Sequence, residues 1–83
     1  MHIHIKYFAA IREALGRSGE TLQTNAATLG ALRDELLERG GAYQASLARS
    51  QPVRVALNQV MSNDAALLQD GAEVAFFPPV TGG

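Results

Sequence analysis

Ile3, Ile5 and Tyr7 alternate with His2, His4, Lys6 and Phe8, the two-residue period of a strand that buries one face. The period then changes. Ile11 and Leu15 stand at helical spacing between Ala9 and Gly16, which predicts a short helix or turn that breaks around Ser18-Gly19. Glu20 to Thr24 reads as a return strand with Thr21 and Gln23 flanking Leu22, so the first two strands form a hairpin with a long loop. Thr28 is placed to cap a helix over 28–39, because Leu29, Leu32, Leu36 and Leu37 recur on one side while Arg33, Asp34, Glu35, Glu38 and Arg39 take the polar positions. Gly40-Gly41 is expected to stop that helix. Residues 42–51 show no clear period, and no regular element is assigned there; Tyr43 and Leu47 are the candidate anchors of an irregular lobe. Val53, Val55 and Leu57 alternate behind Pro52, and Asn58-Gln59 supplies a turn into Val60-Met61. A polar loop containing Leu67 and Leu68 leads to the Asp70-Gly71 turn and a last strand, Glu73 to Phe77, which Pro78-Pro79 must end.

One helix can cover one face of a four- or five-stranded sheet, which makes the chain an α+β two-layer domain. At 83 residues and 8.8 kDa it is long enough for a single core, with a stability margin of about 5 to 15 kcal/mol. Net charge is −1, from seven basic and eight acidic side chains scattered along the chain, so no basic stripe offers itself to nucleic acid. Cysteine is absent, so any sulfur chemistry must use sulfur brought from outside. The first residues alternate instead of placing an apolar segment behind a charged one, and no apolar stretch approaches the ~20 residues of a membrane span. A cytoplasmic protein is expected.

Strand parity singles out a surface. If Ile3, Ile5 and Tyr7 face the helix, Phe8 points to the other side with His4 and Lys6. In the last strand Val74 and Phe76 are the better core pair, which turns Ala75 and Phe77 outward. Were the first and last strands neighbours, Phe8 and Phe77 would stand together beside Pro78 and Pro79, with Met61 at the margin. A contiguous apolar patch on so small a domain reads as a partner surface. Beyond it the chain runs Val80-Thr81-Gly82-Gly83, and two residues without a Cβ make a thin, conformationally free end able to thread a narrow channel. Other candidates are weaker. His2 and His4 share a strand face, but further ligands for a metal are not in view. Asp34, Glu35 and Glu38 read as a solvated helix face, and Gly40-Gly41 lacks the Lys and Ser/Thr of a phosphate loop.

The run Asp70-Gly71-Ala72-Glu73-Val74-Ala75-Phe76-Phe77-Pro78-Pro79-Val80-Thr81-Gly82-Gly83 closely resembles the C-terminus of the molybdopterin synthase small-subunit family, sulfur carriers of molybdenum cofactor biosynthesis. More loosely, Tyr7-Phe8-Ala9-Ala10-Ile11-Arg12-Glu13 resembles the family's first strand and turn, and Val55-Ala56-Leu57-Asn58-Gln59 its central Asn turn. One departure is Ala72, where the family usually has Asp, a change expected to touch only a surface turn. The resemblance implies a β-grasp, ubiquitin-like fold over 1–79, with one main helix packed on one face of a mixed sheet, and a flexible Gly-Gly tail at 80–83. It implies that Phe8, Met61, Phe77, Pro78, Pro79, Val80 and Thr81 contact a large subunit, in whose active site the tail inserts, and that Gly82 and Gly83 carry the chemistry. Gly83 would be adenylated by an E1-like adenylyltransferase, receive sulfur from a separate donor protein and pass it to cyclic pyranopterin monophosphate. The implied assembly is a heterotetramer. ATP belongs to the activating enzyme, so no cofactor is expected to bind this chain tightly, and no metal. Alternatives that share the Gly-Gly end are a sulfur carrier for thiamin synthesis or tRNA thiolation and a ubiquitin-like protein modifier; a plain interaction module is a further one.

Overall fold

A computed structural model of the chain describes residues 1–79. Its elements follow in the order β1 (His2–Tyr7), α1 (Ala9–Leu15), β2 (Gly19–Gln23), α2 (Leu29–Leu37), α3 (Gly41–Leu47), β3 (Arg54–Leu57), β4 (Val60–Met61) and β5 (Glu73–Phe77). The strands form one sheet in the order β2-β1-β5-β3-β4. The central pair, β1 and β5, is parallel, while β1–β2, β3–β5 and β3–β4 are antiparallel. A mixed sheet with helices packed on one face is the β-grasp arrangement.

The core is the inward parity of β1, β3 and β5 meeting the apolar stripe of α2. Ile3, Ile5, Tyr7, Val55, Val74 and Phe76 pack with Leu29, Leu32 and Leu36, joined by Ile11, Leu47 and Leu68. Each of the larger side chains contributes about 1.5–3 kcal/mol of burial. Thr28 Oγ1 accepts the Ala31 N–H at 3.1 Å and starts α2, as its sequence position predicts.

Three expectations are corrected. The main helix ends at Leu37, short of the glycine pair; Gly40 and Gly41, with φ of 69° and 52°, instead turn the chain into α3, which occupies part of the stretch left without an element. Tyr43 and Leu47 are its anchors, and the helices among the described residues are therefore three. Arg33 is buried, not solvated. Its Nε donates to Leu47 O at 2.6 Å and its Nη2 to Ala48 O at 3.1 Å, so it closes the C-terminus of α3. Ala72 is only 4% exposed and belongs to the core, and its carbonyl accepts the His4 N–H, continuing the β1–β5 ladder. The departure from the family's Asp therefore falls inside the domain.

Candidate functional site

The site is built from the outward parity of the same strands. Parallel pairing sets Lys6 opposite Ala75 and Tyr7 opposite Phe76. The Phe8 N–H donates to Phe76 O at 3.1 Å, which extends the ladder one residue past β1 and brings Phe8 alongside Phe77. Phe8 is 42% exposed, and Phe77, Pro78 and Pro79 are half-buried. On the other flank of β5, β3 sets Arg54 opposite Phe77 and Ala56 opposite Ala75, and β4 sets Met61 opposite Ala56. Lys6, Ala75, Ala56 and Met61 thus share one row across the sheet, with Met61 53% exposed at its end.

Local geometry explains why these side chains are presented rather than buried. Phe8 has an extended backbone and caps α1; its carbonyl accepts the N–H groups of Ile11 and Arg12 while its own N–H is held by β5. The next residue, Ala9, is left-handed with φ of 51°, unusual for a residue with a Cβ, and it turns the chain from β1 into α1 directly behind Phe8, which keeps the outward parity of the strand. Met61 is aimed by the two-residue turn Asn58-Gln59, whose φ values of 50° and 68° match the tight hairpin turn that suits strand twist. Asn58 also brackets Glu73. Its N–H donates to Glu73 O at 2.8 Å and its Oδ1 accepts the Glu73 N–H at 2.9 Å, which locks the β3–β4 hairpin to the start of β5.

Charge enters at the same face. Lys6 Nζ lies 3.1 Å from Glu73 Oε1 across the parallel pair. Neither Glu73 nor Arg54 was singled out from the sequence, since only the strand order places them beside the aromatic pair. The structure brings Phe8, Phe77 and Met61 to one side of the sheet, but not Pro78, which has the inward parity of Phe76 and lines a groove with Ile11, Ala14 and Val53 on the helix side; the site expectations for Val80, Thr81, Gly82 and Gly83 lie outside the described residues.

The remaining candidates have local partners. The His2 N–H donates to Asp70 Oδ1, and His4 Nδ1 lies 3.1 Å from Thr21 Oγ1. Asp34 pairs with Arg49 and Glu35 accepts from Thr24. No group of three or more metal-ligating side chains occurs among the described residues, and no helix there is long and apolar enough to cross a membrane.

Below the inner face sits a polar cluster that sequence reading missed. Glu20 Oε2 accepts from Tyr7 OH at 2.9 Å and Tyr43 OH at 3.0 Å, while Arg39 Nη1 donates to both carboxylate oxygens. Arg39 also lies over the Tyr43 ring, 4.8 Å from its centroid. Burial pushes the Glu20 carboxyl up, but the hydrogen bonds from Arg39, Tyr7 and Tyr43 outweigh it and hold the group below its ordinary value. Burial and then the bond to Glu20 raise the Tyr7 phenol far above its own. The cluster joins β1, β2 and the α2–α3 corner; it faces away from the aromatic patch and reads as a brace.

The ThiS family model matches residues 5–83. The Haemophilus influenzae molybdopterin synthase sulfur carrier subunit is 35% identical over 81 residues, covering 98% of this chain and 99% of the relative. Among solved structures, the Haloferax volcanii small archaeal modifier protein 1 superposes with a TM-score of 0.76 at 25% identity, covering 95% of this chain and 98% of that one. The complex of subunits 1 and 2 of molybdopterin-converting factor from Helicobacter pylori matches with a TM-score of 0.70 at 26% identity, covering all of both chains. This chain belongs to the ThiS family and is a β-grasp sulfur carrier of the molybdopterin synthase small-subunit type.

Proposed function

We propose that this chain delivers sulfur for molybdopterin synthesis as a thiocarboxylate on Gly83. One observation carries the reading: parallel pairing of β1 and β5 gathers Phe8 and Phe77 at the strand end after which the sequence runs Pro78-Pro79 and, four residues on, Gly83. An apolar dock beside the root of a Gly-Gly end is what a carrier needs, because docking converts delivery of the terminal group into an effectively intramolecular step. The 35% identity to a named sulfur carrier subunit along nearly the whole chain supports the same assignment.

The chemistry runs through the terminal carboxyl. A carboxylate is a poor electrophile, so its oxygen first attacks the α-phosphorus of ATP in an E1-like activating enzyme and displaces pyrophosphate. Sulfide (HS⁻) then attacks the acyl carbon, the bond from that carbon to the phosphate oxygen breaks as AMP leaves, the S–H proton passes to water, and a thiocarboxylate remains. That sulfur is ionised at neutral pH and soft, and it attacks the pterin precursor in the large subunit. Hydrolysis of the resulting acyl–sulfur bond returns the Gly83 carboxylate. In this reading residues 1–79 form the docking domain and 80–83 the arm, Phe8, Met61, Phe77, Pro78 and Pro79 meet the large subunit, and two carriers sit at opposite ends of a large-subunit dimer. ATP and pterin belong to the partners. Relatives named as modifier proteins point to a second outcome of the same activation: offered an amine instead of sulfur, the acyl-adenylate forms an amide.

The test is reconstitution with the activating enzyme, ATP and a sulfur source, followed by addition of the large subunit and precursor. The expected result is a mass gain equal to one oxygen replaced by sulfur, lost again when precursor is consumed. Deleting Gly83, or extending the chain beyond it with a tag, is expected to abolish both changes while the fold stays intact. Sulfur transfer by either variant would overturn the assignment.

A further inference from the structure

The chain has six arginines but a single lysine, Lys6. Arginine stays protonated in proteins and is a poor acyl acceptor, whereas a lysine amine can give up its proton and attack a carbonyl. For a protein whose own C-terminus is activated as an acyl-adenylate, each lysine is a competing nucleophile, so the place of this one matters. Lys6 lies on the exposed side of the sheet, opposite Ala75 and two positions before Phe8, at the end of β1 nearest the aromatic pair. Its side chain is 53% exposed, and its ammonium is held 3.1 Å from Glu73 Oε1. The remaining amine, on Met1, donates to Thr24 O at 2.9 Å at the opposite end of β1.

We infer that Lys6 is the internal acyl acceptor of this carrier: when an activated Gly83 meets no sulfur, the Lys6 amine takes the acyl group and forms an isopeptide bond. The inference rests on the activation proposed above. The step balances without further reactants. The Lys6 ammonium leaves Glu73 and loses a proton to water, and its lone pair attacks the Gly83 carbonyl. The C–N bond forms as the bond from the acyl carbon to the phosphate oxygen breaks, and AMP departs. The donor terminus belongs either to a second copy, giving a conjugate of two chains, or to the same copy, giving a closed loop. Both products cover the row formed by Lys6, Ala75, Ala56 and Met61, which removes the acylated copy from docking. Glu73 works against the reaction, because the ion pair must break first.

The experiment incubates the full chain with its activating enzyme, ATP and magnesium without a sulfur source, with hydroxylamine added to a parallel sample. The hydroxamate formed in that sample measures activation alone. Peptide mapping after trypsin is expected to find Lys6 carrying the fragment from Val55 to Gly83, since no basic residue follows Arg54. Intact mass separates the sources: two chains minus one water for a second copy, one chain minus one water for the same copy. Lys6→Arg is expected to remove the adduct relative to its hydroxamate yield, and Glu73→Gln to raise it about two- to five-fold, the scale of one exposed ion pair. Hydroxamate without an adduct, or an adduct on the Met1 amine, overturns the role of Lys6 and leaves the sulfur-carrier reading standing. No hydroxamate would sink that reading and this inference together.

Discussion

The two faces of one sheet show how the same strands serve two ends. Toward the helices, Ile5, Tyr7, Val74 and Phe76 are almost fully enclosed and the chain satisfies itself. On the other side, Phe8, Phe77 and Met61 remain in contact with water, with Lys6, Glu73 and Arg54 around them. Adjacent residues in sequence therefore have opposite tasks. Phe76 belongs to the fold and Phe77 to the proposed dock. The difference teaches that stability and docking can be changed separately along a single strand, provided parity is respected.

Truncating the inner member tests this most severely. Phe76→Ala removes a ring that is 1% exposed and lies parallel to Tyr7 with centroids 6.2 Å apart. The expected cost is about 3–5 kcal/mol in denaturant unfolding, most of the stability of so small a domain. Its outer neighbour is expected to behave in the opposite way. Phe77→Asp should change stability by less than about 1 kcal/mol while weakening large-subunit binding about 30-fold or more, the scale of a central aromatic anchor. Calorimetric titration beside chemical unfolding checks the pair. Equal losses of stability in both variants, with affinity for Phe77→Asp unchanged, would erase the distinction between the faces.

How much of this was legible in the sequence depends on the range of the contacts. The period-two alternation of Ile3, Ile5 and Tyr7 and the leucine spacing of α2 are local, and they located both elements, although α2 ends at Leu37 and not at 39; Asn58-Gln59 and Asp70-Gly71 marked their turns for the same reason. The outward position of Phe8 and Phe77 followed from parity once their strands were neighbours. By contrast, α3 buries only Leu47 completely and its C-terminus is closed by Arg33, a residue on another helix, so its seven residues carry little periodic signal. Arg33 itself looked solvated because a charge at a boundary position reveals nothing about a partner fourteen residues away. The Glu20 cluster draws on β1, β2 and the region around α2 and α3, and only the assembled fold brings Tyr7, Arg39 and Tyr43 to one carboxylate.

That cluster sharpens the contrast, because it braces the inner side without touching the dock. Glu20→Gln is expected to cost about 1–3 kcal/mol, the range for hydrogen bonds involving a charged group, with large-subunit affinity unchanged. Its pH signature has a definite sign. The folded Glu20 pKa lies below the unfolded one, so its contribution is complete above the ordinary glutamate value of about 4.3 and is lost as pH falls through the folded value. Tyr7 is raised, so its contribution is complete below the ordinary tyrosine value of about 10 and is lost as pH climbs beyond it. Unfolding free energies measured across pH should show a flatter acid limb in Glu20→Gln. An acid limb identical to that of the parent would assign the acid sensitivity to other carboxylates.

The smallest effect lies at the hinge between the faces. Ala9 holds a left-handed backbone that an L-residue enters at a cost of about 1–2 kcal/mol, and it does so directly after Phe8, whose N–H and carbonyl are both engaged. Glycine removes that strain, while the added freedom of the unfolded chain returns about 0.5–1 kcal/mol. Ala9→Gly should therefore stabilise the domain by about 0.5 kcal/mol, or roughly 2–4 °C in Tm. The same change frees the residue that aims Phe8, and ordering it again on docking is expected to lower large-subunit affinity about two- to three-fold. A rise in Tm with a fall in affinity would show strain in the inner fold being spent on presenting the outer face. A fall in Tm with affinity unchanged would mean that the Ala9 methyl contributes through packing instead, and that Phe8 is held in place by its hydrogen bonds alone.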